Sequence, residues 1–242
     1  MKYALVTGGS RGIGKAICLE LAREGFYVII NYHTNTEAAE DTLKTLKAEG
    51  GKGELLSFDV SSSEEIESAL EKWQSEHTDT YISVLVNNAG ITNDSLMIFM
   101  QDHQWHNVVD TSLNAFFYIT RRLLKDMLTN RYGRIINIAS VSGLKGTPGQ
   151  VNYSAAKGGL IAASKSLSQE VAQRKVTVNV VAPGFISTDM TKEIDEKQFK
   201  DIIPMKRFGK PEEVASLVGY LASSKSSYIT GEVISVNGEI YS

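Results

Sequence analysis

The feature that most constrains the fold is TGGSRGIG, residues 7–14, because an apolar run (YALVT, 3–7) leads straight into it and the helical pattern KAICLELAREG follows. Glycines at 8, 12 and 14 permit a tight turn, close approach of backbone to a pyrophosphate, and close packing of the following helix on its strand. The free N–H groups and dipole at the helix start would then face the phosphates. A glycine-rich turn alone carries little weight, but strand before and helix after is the setting this motif requires.

The remaining sequence repeats that setting. Short β-branched runs fall at 26–31, 53–60, 82–87, 133–140, 176–182 and 232–238, and amphipathic stretches lie near 11–24, 36–49, 62–75, 102–129, 152–173 and 211–222. Strands alternating with helices build βαβ units and a parallel sheet, and runs apolar throughout suit a sheet covered on both faces. The expected fold class is α/β, a Rossmann-type doubly wound parallel sheet of about seven strands with helices on both faces. With 242 residues and 42% hydrophobic content, one domain over 1–242 is expected. The irregular stretch 183–210 holds two of the four prolines, with a third, Pro211, directly after it, and a substrate lid is expected over about 185–210.

Charge and composition exclude other classes. A formal charge of −3 offers no basic excess for nucleic acid, and no apolar run approaches a membrane span of about 18 residues. MKYALVTGG reaches glycine before a signal-peptide core forms, so a cytoplasmic location is expected. The single cysteine, Cys18, allows no internal disulfide, and the histidines at 77, 103 and 106 form no ligand constellation with carboxylates, so no metal is expected.

The expected dinucleotide contacts begin with Gly8, Ser10, Arg11, Gly12, Ile13 and Gly14. An acidic residue about 20 positions further on would hold the ribose 2′-hydroxyl of NAD. Here NYHTNT (31–36) contains no carboxylate. With Arg11 in the turn, a 2′-phosphate meets polar and cationic groups, so NADPH/NADP+ is expected, with Asn31 and Tyr32 beside it. Asp59 and Val60 would receive the adenine, and Asn87, Ala89 and Gly90 would lie along the cofactor at the end of strand four.

YSAAK, residues 153–157, sets a phenol and an ammonium four apart, on one helix face. A fixed ammonium and a nearby cationic nicotinamide would stabilise the phenolate and bring Tyr153 toward the operating pH as an acid–base group. Ser140, at the end of strand five, would hold a carbonyl oxygen against the phenol, and Asn114 would hold a water behind Lys157.

With these residues in view, the chain resembles the short-chain dehydrogenase/reductase family, and within it the reductases of 3-oxoacyl groups on acyl carrier protein. TGGSRGIG, NNAGIT, GRIINIASVSG, NYSAAKGGL, VTVNVVAPGFISTDMT and YITGEVISVNG match that pattern in order and spacing, essentially end to end. The resemblance implies a tetrad of Asn114, Ser140, Tyr153 and Lys157, with Tyr153 as proton donor and Lys157 on the nicotinamide ribose. Pro183, Gly184, Ile186 and Thr188 would border the nicotinamide, and Ser142 and Gln150 the substrate. An acidic carrier would meet cations at the pocket mouth, and the matching positions are Arg131 and Arg174. A homotetramer is also implied, with the small residues of helix 152–173 on a dimer face, although internal packing explains them as well. An acetoacetyl-CoA or general carbonyl reductase is the alternative enzyme. A non-catalytic nucleotide-binding scaffold would show a broken tetrad.

Overall fold

The computed structural model describes residues 1–192 and 195–242; Glu193 and Ile194, within the expected lid, lie outside the described residues. The strands are β1 Tyr3–Val6, β2 Tyr27–Tyr32, β3 Lys52–Ser57, β4 Ile82–Asn87, β5 Gly133–Ile138, β6 Val176–Pro183 and β7 Val233–Val236. They form one sheet in the order β3-β2-β1-β4-β5-β6-β7, with every neighbouring pair parallel. The helices are α1 Gly12–Arg23, α2 Thr36–Ala48, α3 Ser63–Glu76, α4 Asp102–Val109, α5 Ala115–Thr129, α6 Val141–Lys145, α7 Val151–Val171, α8 Glu196–Phe199 and α9 Pro211–Ala222. No helix among the described residues is long and apolar enough to cross a membrane.

Period-two alternation sends successive strand residues to opposite cores. Val84 and Val86 of β4 join Ile17 and Leu21 of α1 and Val214 and Val218 of α9 on one face. Leu85 points the other way, toward Ile66 and Leu70 of α3 and Ile119, Leu123 and Met127 of α5. Every residue of β4, β5 and β6 is buried, as in a sheet covered on both faces.

The termini of the elements follow local chemistry. The Asn35 side chain accepts from the Ala38 N–H at the start of α2, and Ser62 does the same for Glu65 at the start of α3. Pro211 opens α9, where a missing N–H costs nothing. β3 stops at Ser57, so Phe58, Asp59 and Val60 run beyond the sheet. The single helix expected over 102–129 is α4 and α5 joined by a π turn, Asp110–Asn114. An extra residue in one turn leaves hydrophobic spacing almost unchanged, so the pattern does not reveal it.

Sheet order reverses between β1 and β4, and a crevice opens there at the carboxyl ends of the strands. That crevice holds everything described next.

Candidate active site

A groove of about 1250 Å³ runs across the carboxyl ends of the strands. One end is the glycine turn, and all six residues expected there, Gly8, Ser10, Arg11, Gly12, Ile13 and Gly14, line it. Gly8 is at φ +61°, in the left-handed region that suits glycine. A Cβ on Gly14 would run into the Gly8 carbonyl oxygen, so turn and helix meet at a separation that no other residue allows.

Two asparagines fasten this turn from below. The buried Asn31 side chain accepts from Gly8 N–H at 3.2 Å and donates to the Leu56 and Phe58 carbonyls at 3.2 and 3.1 Å. It borders the groove but spends its amide on the protein, so it positions the turn instead of standing free for a ligand. Asn88 donates to the Thr7 carbonyl at 2.9 Å and to the Gly8 carbonyl at 3.2 Å. The expected contact Asn87 is corrected here: it points into the core, donates to Asn137 at 2.8 Å, and does not line the groove, whereas Asn88, Ala89 and Gly90 do. Two adjacent residues at a strand end face opposite ways, so only one of the pair can be outside.

Tyr32, His33, Thr34 and Asn35 form the far wall, at the amino end of α2, with Asp59 and Val60 opposite. Asp59 accepts from the Ser61 N–H and hydroxyl, both at 2.8 Å, and its other oxygen lies 3.8 Å from His33 Nδ1. Arg11 stands exposed, 4.0 Å from Asp189 across the mouth. Pro183, Gly184, Ile186 and Thr188 line the near wall, and the Thr188 methyl rests 3.5 Å from the place a Cβ on Gly12 would take. The segment beyond carries a short turn, Asp189–Thr191, then α8, and Ile186 bridges back to Gly209.

At the middle of the groove α7 presents Tyr153 and Lys157 on one face, with the ammonium 5.7 Å from the phenol ring centroid. Lys157 is buried and donates to the Ile138 carbonyl at 2.8 Å. Burial pushes the Tyr153 phenol up to about 12, against a smaller lowering by the Ser140 hydroxyl. Burial also pushes the Lys157 ammonium down to about 8. In the protein alone desolvation of the phenolate is the largest cause, and the ammonium gives a hydrogen bond to the backbone; the expected lowering by the ammonium and a cationic nicotinamide together concerns the complex with cofactor. Ser140 is at once the residue beside the phenol and the N-cap of α6, accepting from Ser142 N–H at 3.1 Å.

The low Lys157 value has a consequence for stability. Its folded pKa lies below the ordinary 10.5, so between pH 8 and 10.5 the unfolded chain binds the extra proton and stability rises with pH. Below pH 8 the buried ammonium opposes folding by an amount on the order of 3 kcal/mol. Lys157→Met should accordingly raise the melting temperature at pH 7, with the gain shrinking as pH rises through that window; a gain independent of pH would refute the assignment.

Ser142 and Gln150, on the groove wall, bond each other at 2.9 Å, and Gln150 donates to Asp94 at 2.7 Å. Thr147 and Lys145 join them on the wall. Sequence reasoning missed Lys145, because a five-residue helix is too short to show a period.

Besides Asn87, three expected residues are not at the groove. Asn114 ends the π turn and donates to Asp110 at 2.6 Å; it does not line the groove. Arg131 and Arg174 precede β5 and β6, at the amino ends of those strands, where Arg131 donates to the Gln173 carbonyl at 3.1 Å. A strand of that length spans about 20 Å, so both arginines stand at the opposite end of the sheet from the mouth where docking cations were expected. The small residues of α7 serve internal packing in part, since the Leu113 side chain occupies the space a Cβ on Gly159 would need, at 3.0 Å.

The comparisons agree with this geometry. The family model described as short chain dehydrogenase matches residues 2–199. The chain is 48% identical to the 3-oxoacyl-[acyl-carrier-protein] reductase FabG of Pseudomonas aeruginosa, over 99% of this chain and 97% of that protein. It is 45% identical to the same-named protein of Haemophilus influenzae, over 99% and 98%, and 42% identical to that of Staphylococcus epidermidis, over 99% of each. A glycine turn at the sheet's switch point, a tyrosine and lysine one helical turn apart, and full-length likeness to these reductases lead to one conclusion: the chain belongs to the short chain dehydrogenase family.

Proposed function

We propose that the chain, as one domain with segment 185–210 as lid, reduces a 3-oxoacyl thioester on acyl carrier protein to the 3-hydroxyacyl thioester, using NADPH. Such a reaction belongs to fatty-acid synthesis or a related polyketide or aryl-polyene pathway. The observation that carries the reading is convergence: Ser140, Tyr153 and Lys157 meet midway along a groove whose end is the glycine turn. The names of the relatives support the substrate class.

The residues fit the cofactor. The Gly8–Gly14 contact leaves bare backbone and the start of α1 for a pyrophosphate, and the far wall sets Arg11, Tyr32, Thr34 and the amino end of α2 around a 2′-phosphate. Bound NADPH supplies the hydride. Ser140 donates to the substrate oxygen and holds it against the phenol. Tyr153, which keeps its proton throughout the physiological range, gives that proton to the developing alkoxide, a stronger base than phenolate. The Lys157 ammonium offsets the charge left on Tyr153. Ile186 and Thr188 border the reacting ring. No carboxylate lies in 31–36, so NADPH should bind at least about tenfold more tightly than NADH by calorimetry, one charge-assisted contact being enough for that ratio. Equal affinities would defeat this part of the reading.

Lys145 is a cation on the groove wall and becomes the residue to test for carrier docking. Lys145→Glu should raise KM for carrier-bound substrate several-fold and leave a small free ketone unaffected; equal effects on both would remove the docking role. The distance of Arg131 and Arg174 from this mouth favours a second reading, a reductase of CoA thioesters or small carbonyls. Relative turnover on carrier-bound, CoA-bound and free ketones decides between the two. A homotetramer is part of the proposal, supported by Phe117, 51% exposed on α5, and by exposed Ala155 and Ala162 on α7.

A further inference from the structure

The helix behind the far wall, α2, carries a side chain that the proposed reaction leaves unused. Thr42 is fully buried, on the apolar stripe of that helix between Ala39 and Leu46. A threonine within a helix commonly bonds back to the carbonyl four residues earlier. Thr45 does so to Asp41 at 2.8 Å, Thr111 to Asn107 at 2.7 Å and Thr129 to Lys125 at 2.9 Å. Thr42 instead donates across the fold, to the Ser10 carbonyl in the glycine turn at 2.9 Å.

That bond completes the attachment of the turn. Gly8 N–H gives to the Asn31 side chain at 3.2 Å, Gly9 N–H gives to the Asn31 carbonyl at 2.8 Å, and the Arg11 carbonyl accepts from Lys15 N–H at 3.1 Å. β2 and α1 therefore hold the two ends, and α2 holds the peptide between Ser10 and Arg11. In a trans peptide the N–H points opposite to the carbonyl, so anchoring the Ser10 oxygen on α2 turns the Arg11 N–H away from α2. Ser10, Arg11 and Gly12 line the groove, and the amino end of the same helix stands at Thr34 and Asn35 on the far wall. One element thus sets both sides of the space assigned to the 2′-phosphate: its own first turn directly, and Arg11 through Thr42. The Lys15–Asp41 pair, 2.7 Å apart, also ties α1 to α2, but its aspartate is exposed and the contact is screened by salt. The Thr42 hydroxyl lies where water does not compete for it.

We propose that Thr42 is a positioning residue for NADPH: its hydroxyl fixes the Ser10–Arg11 peptide so that the Arg11 N–H and side chain meet the 2′-phosphate. The inference rests on the reading of the glycine turn and the far wall as the NADPH site. It assigns part of the coenzyme preference to a residue that touches no coenzyme. A phosphate takes charge-assisted hydrogen bonds from N–H groups, and a ribose hydroxyl draws less from them. Loss of the anchor therefore falls more heavily on NADPH than on NADH.

Thr42→Val removes the hydroxyl and keeps the branched shape. Calorimetry on the full chain should show NADPH affinity reduced about five- to twentyfold, the size of one hydrogen bond to a charged group, and NADH affinity reduced no more than about twofold. The Arg11 amide, followed by nitrogen NMR, should shift on addition of NADP+ to the wild type and lose most of that shift in Thr42→Val. Thr42→Ser, which keeps the hydroxyl, should restore both. An unchanged preference in Thr42→Val overturns the proposal, as does an equal loss for the two coenzymes. A lowered melting temperature with the preference intact also overturns it, by making Thr42 merely structural. A wild-type chain that binds NADPH no better than NADH ends the 2′-phosphate reading and this inference with it, whereas a wild-type preference that survives Thr42→Val ends this inference alone.

Discussion

Tyr153→Phe should lower kcat by about a thousandfold or more and leave the dissociation constant for NADPH within about twofold. The substitution removes one oxygen from a half-buried ring and leaves α7 and its packing unchanged. Burial holds the phenol's proton up to about 12, so the hydroxyl is present to donate at any physiological pH. Its neighbours cannot replace it: Ser140 is a far weaker acid, and the Lys157 ammonium is turned to the Ile138 carbonyl. A general acid contributes about a hundred- to ten-thousandfold, and the orienting contact of the same hydroxyl is lost with it. Stopped-flow hydride transfer with saturating NADPH measures the chemical step directly. A variant retaining a tenth of wild-type rate would remove Tyr153 from the proposed role.

The second large effect belongs to Gly14→Ala. The new methyl would collide with the Gly8 carbonyl oxygen, in the turn itself, and lie 2.6 Å from Nδ2 of Asn88, which braces the turn. Neither can retreat, because Gly8 is bonded to Asn31 and Asn88 is bonded to Thr7. Overpacking of this kind costs about 1–3 kcal/mol, and here the displaced atoms are those proposed to cradle the pyrophosphate. NADPH affinity should fall about ten- to a hundredfold by calorimetry, with melting temperature lowered by several degrees. Unchanged affinity would mean that the turn does not bind the cofactor.

The parts that were legible in the sequence were those encoded by neighbouring residues. TGGSRGIG announced its strand and helix, and Tyr153 and Lys157 could be set on one face by spacing alone. The failures share a cause, since each depends on where the chain points after folding. Asn87 and Asn88 are indistinguishable as letters, and the register of β4 decides which one faces out. Asn114 looked like the residue behind Lys157 until the extra residue of the π turn rotated it toward Asp110. Arg131 and Arg174 sit next in sequence to strands that lead to the groove, but at their far ends. The burial that raises the Tyr153 phenol in the protein alone was not legible either, because a cation can be read in the sequence and the surrounding low-dielectric protein cannot.

Asn31 separates two kinds of residue for anyone wishing to change the redox carrier. Its amide braces β2, β3 and the loop at Gly8 together, whereas Tyr32 and Thr34 line the outer wall. Exchanging the latter for an acidic side chain should retune the preference toward the unphosphorylated coenzyme while the scaffold holds, but the same exchange one position earlier would unfasten the platform on which either coenzyme rests.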